Sequence, residues 1–175
     1  MVNCAVISGP KNLIIVQSRA IVFNSNNELL LVSQNGKKWG TPGGTLDKHE
    51  KLSDLAIQEV YEETGLNVKL ISQASFLQGK WHFNNGFWYF NEHIDYQFDA
   101  SYFIYHYHCK IIGNEILDAN WKDLSHDIVK YRKFFTEIEW FELIKNNNYD
   151  DELKTLSFDE IKKLNKFDFE FQNNE

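Results

Sequence analysis

The sequence predicts one domain of mixed α and β layers, and three observations carry that expectation. Apolar, strand-like runs stand both before and after a single central helical stretch. A second helical stretch is expected near the end. The chain has 175 residues, enough for one domain with a sizeable core, and neither a repeat nor a linker divides it. The domain is therefore taken as residues 1–175.

Residues 4–8 (CAVIS) and 12–23 (NLIIVQSRAIVF) read as strands separated by Gly9-Pro10. NSNNE (24–28) is a turn, and ELLLVS (28–33) is a third, apolar strand. QNGKKWGTPGGT (34–45) is a glycine-rich loop. Residues from about 51 to 64 form the central helix, with Gly65 at the position after it, where glycine accepts a left-handed backbone. NVKLISQASFLQ (67–78) is a strand, and 79–100 reads as a loop or irregular hairpin around Asn84-Asn85-Gly86. SYFIYHYHCKII (101–112), dense in aromatic and β-branched residues, gives the strongest strand signal. The stretch 115–133 follows no single pattern. TEIEWFEL (136–143) reads as a further strand. Ser157 and Glu160 make a capping box that opens a final helix near 158–166, ahead of a frayed QNNE tail.

Composition narrows the function classes. The formal charge is −7 with only two arginines, Arg19 and Arg132, so general binding to a nucleic-acid backbone is not expected. An anionic small molecule is still compatible, because a bound cation reverses the local field. Cys4 and Cys109 make no disulfide framework, which fits a reducing compartment. MVNCAVISGPK has the makings of no signal peptide, and no apolar run approaches the ~20 residues of a membrane span. The expectation is a cytoplasmic protein without a membrane segment.

The helix raises the question of function. At roughly 100° per residue, Leu52, Leu55 and Ala56 share a stripe, and Glu59, Glu62 and Glu63 continue it, while Ile57, Val60 and Tyr61 cover another side. The acids thus replace apolar residues where the helix meets the rest of the protein. A solvated charge run is the plain alternative. Like charges at i,i+4 oppose helix formation by a few tenths of a kcal/mol, and more when partly buried, unless a cation neutralises them. An all-carboxylate set suits Mg²⁺, Mn²⁺ or Ca²⁺, and magnesium shares its shell with substrate phosphates. Gly40, Gly43 and Gly44, directly ahead, let backbone approach a ligand, with Pro42 restricting the chain between them.

Residues 44–66, together with Gly43 before them, resemble the Nudix box, G-x5-E-x7-R-E-U-x-E-E-x-G-U with U aliphatic. Gly44, Glu50, Glu59, Val60, Glu62, Glu63, Gly65 and Leu66 fall in register, and Trp39, Pro42 and Gly43 are similar to the usual lead-in. Only Gln58 departs, standing where the family has arginine. The resemblance implies an α/β/α sandwich with a mixed β-sheet and Mg²⁺- or Mn²⁺-dependent hydrolysis of a nucleoside diphosphate linked to another group. It implies Glu59, Glu62 and Glu63 as metal ligands and catalytic acids, Glu50 holding metal-bound water or the loop, and the backbone of Gly43 and Gly44 completing the metal and phosphate environment. It also allows a homodimer. Glutamine offers neither the charge nor the bidentate fork of arginine, so a nucleotide-binding regulatory module with weak or no turnover is the alternative.

Other residues are weighed beside the box. Arg19 would contact phosphate or pair with a box acid, partly replacing the missing arginine. Lys37 and Lys38 would meet phosphate. Trp81, Trp88 and Tyr89 are candidates for stacking on a base. Glu115, Glu137 and Glu139 are candidates for an acid outside the box. His106 and His108 share one strand face and Cys109 takes the other, which favours packing over a transition-metal site.

Overall fold

The structure, a computed structural model, describes residues 12–46, 51–83, 87–89, 92–94, 98–124 and 128–149. The expected strand at 4–8, the final helix near 158–166 and Glu50 lie outside them. Among the described residues, eight strands and two helices follow one another: β1 Asn12–Phe23, β2 Leu29–Ser33, β3 Gly43–Thr45, α1 Leu52–Thr64, β4 Val68–Phe83, β5 Phe87–Tyr89, β6 Glu92–Ile94, β7 Phe98–Ile111, β8 Tyr131–Phe135 and α2 Glu137–Lys145. The main sheet has six strands in the order β4-β7-β1-β2-β8, with β3 also on β1. It is mixed, since β1 and β7 run parallel and the other pairs antiparallel. β5 and β6 form a separate antiparallel pair.

Alternation along β1 and β2 explains the layers. Ile21, Phe23, Leu29 and Leu31 point to one face and meet Trp140 and Leu143 of α2. Ala20, Val22 and Leu30 point to the other and meet Ala56 and Val60 of α1. All five residues of β2 are buried, as expected for a strand covered on both sides. The expected α/β/α sandwich with a mixed sheet is thus realised.

Four expectations change. The glycine-rich loop ends in β3, where Gly43, Gly44 and Thr45 pair with Arg19, Ser18 and Gln17. Strand β4 runs five residues past 78, and 79–100 resolves into the end of β4, the β5–β6 pair and the start of β7. TEIEWFEL is not a strand: Thr136 and Glu139 form a reciprocal capping box that opens α2. Trp140 and Leu143, three residues apart, are the buried face of a helix. In α1, Val60 is fully buried beside Ala56 and Tyr61 is exposed, so the core stripe is wider than read. Gly65 adopts the left-handed backbone expected of it (φ 77°).

Candidate active site

The pairing of β3 with β1 brings the end of the glycine loop against the acidic helix. Gly43 donates its N–H to Glu63 Oε2 at 3.1 Å. A Cβ at Gly44 would stand only 1.9 Å from Glu59 Oε1, and one at Gly43 only 2.4 Å from the Ser18 carbonyl oxygen. Gly43 meets backbone and needs glycine, whereas a methyl at Gly44 would displace the Glu59 carboxylate.

Glu59 and Glu63 line a cleft of about 470 Å³, together with Gly43, Gly44, Arg19, Lys38 and Asp123. Ser33, Asn35 and Thr41 give it further polar walls. Arg19 is anchored on the floor, donating from Nη1 to the Thr41 carbonyl at 2.8 Å and from Nε to Gln17 Oε1 at 3.2 Å. Glu63 is 7% exposed. Burial first, and then the charge of Glu59, push its carboxyl well above the ordinary carboxylate range; Asp123 adds to the push, while Arg19 and the Gly43 amide oppose it. The Arg19 charge thus bears on Glu63 from within the same cleft.

Glu62 does not line the cleft. Its Oε1 accepts a 2.8 Å hydrogen bond from Gln58 Nε2, one turn back. Gln58 thus keeps contact with the acidic turn as a neutral donor where an arginine would bring charge. The turn is held from outside the helix as well. Trp121 Nε1 and the Leu124 amide both donate to the Glu62 carbonyl, and Arg132 Nη1 donates to the Glu63 carbonyl at 2.8 Å. The last turn of α1 carries no basic residue. A cation at a helix C-terminus contributes about 0.3–1 kcal/mol, and Arg132 supplies it there.

Among the described residues, Asp123 is the acid outside the box that the structure adds to the cleft lining. It is 6% exposed, and its Oδ2 accepts the Ile128 and Val129 amides at 3.1 and 2.9 Å. It sits in the patternless 115–133 stretch, so no spacing could have singled it out. The acids proposed from sequence lie elsewhere. Glu115 binds Ser25, Glu139 caps α2, and Glu137 also belongs to α2. Lys38 reaches the cleft and Lys37 does not. Trp81 stacks on Tyr102, centroids 4.7 Å apart, and is not a lining residue; the side chains of Trp88 and Tyr89 lie outside those described.

His106 is fully buried on β7, with Nδ1 3.1 Å from Ser75 Oγ. Burial, and then the Arg19 charge, lower its pKa to about 3, so it is a neutral structural group. Burial pushes the Cys109 thiol up to about 12, which leaves it unreactive.

The cleft residues fit a hard divalent cation. Two carboxylates converge on a strand whose glycines leave room beside them, one is buried at an electrostatic cost that a cation would relieve, and every donor is oxygen. Among the described residues, no three acidic, histidine or cysteine side chains already stand together as a metal cage.

The profile of the Nudix domain matches residues 15–158. The chain belongs to the Nudix family. Nudix relatives match it in part. Over 59 residues it is 36% identical to a putative 8-oxo-dGTP diphosphatase of Bacillus subtilis (strain 168), covering 33% of this chain and 40% of that protein. Over 69 residues it is 35% identical to the m7GpppN-mRNA hydrolase NUDT17 of Danio rerio, covering 35% and 23%. The chain thus matches less than half the length of either relative. In fold, this Nudix chain is similar to the MutT protein of Methanosarcina mazei Go1, with a TM-score of 0.52 and 16% identity over 95% of this chain and all of that one. No helix among the described residues is long and apolar enough to cross a membrane.

Proposed function

We propose that the chain is a Mg²⁺- or Mn²⁺-dependent pyrophosphohydrolase acting on a nucleoside diphosphate joined to another group. The observation that carries this reading is the convergence of Glu59 and Glu63 on Gly43-Gly44, with Arg19 and Lys38 in the same cleft. Glu59, Glu63 and the Gly43 backbone would hold the ion. The ion supplies polarisation of the phosphates and a lowered pKa for the attacking water. Arg19 and Lys38 bind and orient phosphate oxygens, Arg19 as a guanidinium already fixed by Thr41 and Gln17. Asp123 or a box glutamate takes the proton that water releases as its oxygen bonds to phosphorus. The bridging P–O bond breaks, giving a nucleoside monophosphate and a phosphorylated remainder, or pyrophosphate from a triphosphate. The names of the relatives, one for 8-oxo-dGTP and one for m7GpppN-mRNA, support a nucleotide as substrate.

The test is to incubate the protein with ADP-ribose, nucleoside triphosphates, dinucleoside polyphosphates, nucleotide sugars and capped RNA, with and without Mg²⁺ and Mn²⁺, and to follow products by phosphorus NMR. Cleavage that requires metal is the expected result. Nucleotides that raise the melting temperature without being cleaved would replace this reading with the binding module that Gln58 suggests.

A further inference from the structure

Arg132 stands outside the cleft and outside the box, yet the acidic turn leans on it. It lies on β8, opposite Val32 of β2, and only its guanidinium reaches α1. Nη1 donates to the Glu63 carbonyl, and Nη2 donates to the Trp121 carbonyl. Trp121 in turn donates from its indole to the Glu62 carbonyl at 3.0 Å and sets its ring edge-on to Tyr61, centroids 5.4 Å apart. Two residues on, Asp123 lines the same cleft as Glu63, and its charge acts on that carboxyl. One guanidinium therefore ties together the backbone that carries Glu63 and the segment that carries Asp123.

The box position that usually supplies an arginine to this turn holds Gln58, whose bond reaches only Glu62. We propose that Arg132 is a positioning residue that takes over part of that duty through main-chain carbonyls. It fixes the last turn of α1 from behind and sets the separation of Glu63 and Asp123 in the cleft. Such a clamp acts on where the carboxylates stand, not on their charge, so its loss weakens ion binding before it unfolds the protein. The inference rests on the metal-dependent reading of the cleft.

The experiment measures Mn²⁺ binding by electron paramagnetic resonance, well below the melting temperature, for the native protein, Arg132→Ala and Arg132→Lys. Thr136→Ala, which weakens the fold through the distant cap of α2, serves as the control for lost stability. Supporting groups one shell behind a metal typically change affinity 10- to 100-fold. Arg132→Ala is expected to weaken Mn²⁺ binding about tenfold and to lower kcat more than it raises KM. Arg132→Lys, which keeps the charge but can serve only one carbonyl well, recovers part of the loss, and Thr136→Ala leaves Mn²⁺ affinity unchanged. Native Mn²⁺ affinity in a folded Arg132→Ala would overturn the inference. Should that variant not fold, native affinity in Arg132→Lys would overturn it equally. A native protein that binds no Mn²⁺ would remove the metal-dependent reading itself, and the inference with it.

Discussion

The two described helices differ in how far they follow local rules. Helix α2 satisfies each local preference: Thr136 and Glu139 close a capping box, acids occupy its first turn, and Lys145 stands in its last. Helix α1 keeps Asp54 in its first turn and the left-handed Gly65 after its last, but breaks other preferences. Lys51 offers it no side-chain cap, its last turn lacks a base, and its acids gather toward the negative end of the helix dipole. Glu63 is even buried. Both helices bury apolar residues against the same sheet, one on each face. The difference is that α2 has only to pack, whereas α1 packs and presents carboxylates to the cleft. Local rules tend to be broken where function is served, and the surroundings compensate. Here the compensation comes from β3 glycines, Gln58, Trp121 and Arg132.

Substitutions can break this contrast, and the largest effect should fall on α1. Glu59→Gln and Glu63→Gln are each expected to reduce metal-dependent turnover on the order of a thousandfold while the fold persists, since electrostatic groups at a reacting centre contribute on that scale. Steady-state assays alongside circular dichroism check this, and full turnover in both would detach the carboxylates from the chemistry. Gly44→Ala comes next. Its added methyl collides with Glu59 Oε1, so Mn²⁺ affinity should fall at least tenfold with only a small change in melting temperature.

A milder contrast is set by His106, whose pKa is lowered from 6.5 to about 3. Its neutral form is the one the fold accepts. Its contribution is therefore complete above pH 6.5 and is lost as pH falls from there toward about 3, by up to ~1.4 kcal/mol per pH unit. Denaturant titrations of native protein and His106→Gln across that window should show the steeper acid loss in the native chain. Smallest is Thr136→Ala, which removes the cap of α2 at a cost of about 1 kcal/mol of stability and leaves turnover unchanged.

Much of the site was legible in sequence because the box is local. Gly44, Glu59 and Glu63 lie within twenty residues of one another, and their helix has a readable period. The sandwich could be anticipated for the same reason, from apolar runs on both sides of that helix. What escaped was long-range or ambiguous. Asp123 and Arg132 reach the cleft and the acidic turn through tertiary packing, in a stretch without periodicity. Strand β3 exists only because β1 offers an edge to pair with. The α2 segment satisfies strand propensity and helix spacing together, and the capping box of Thr136 and Glu139 decides for the helix.

The most direct measurement is the melting temperature of native protein and Glu63→Gln, with EDTA and with Mn²⁺, at about pH 8 and near pH 4.5. Because its folded pKa is raised, Glu63 favours the fold fully only below the ordinary value near 4.5, and that benefit is lost as pH rises through the folded value. Without metal, Glu63→Gln should therefore melt higher than native protein at about pH 8 and no higher near pH 4.5. With Mn²⁺ at about pH 8, the native protein should gain stability and the variant should gain little. Equal Mn²⁺ stabilisation of both proteins would contradict the claim that this buried carboxylate is held in place to bind a cation.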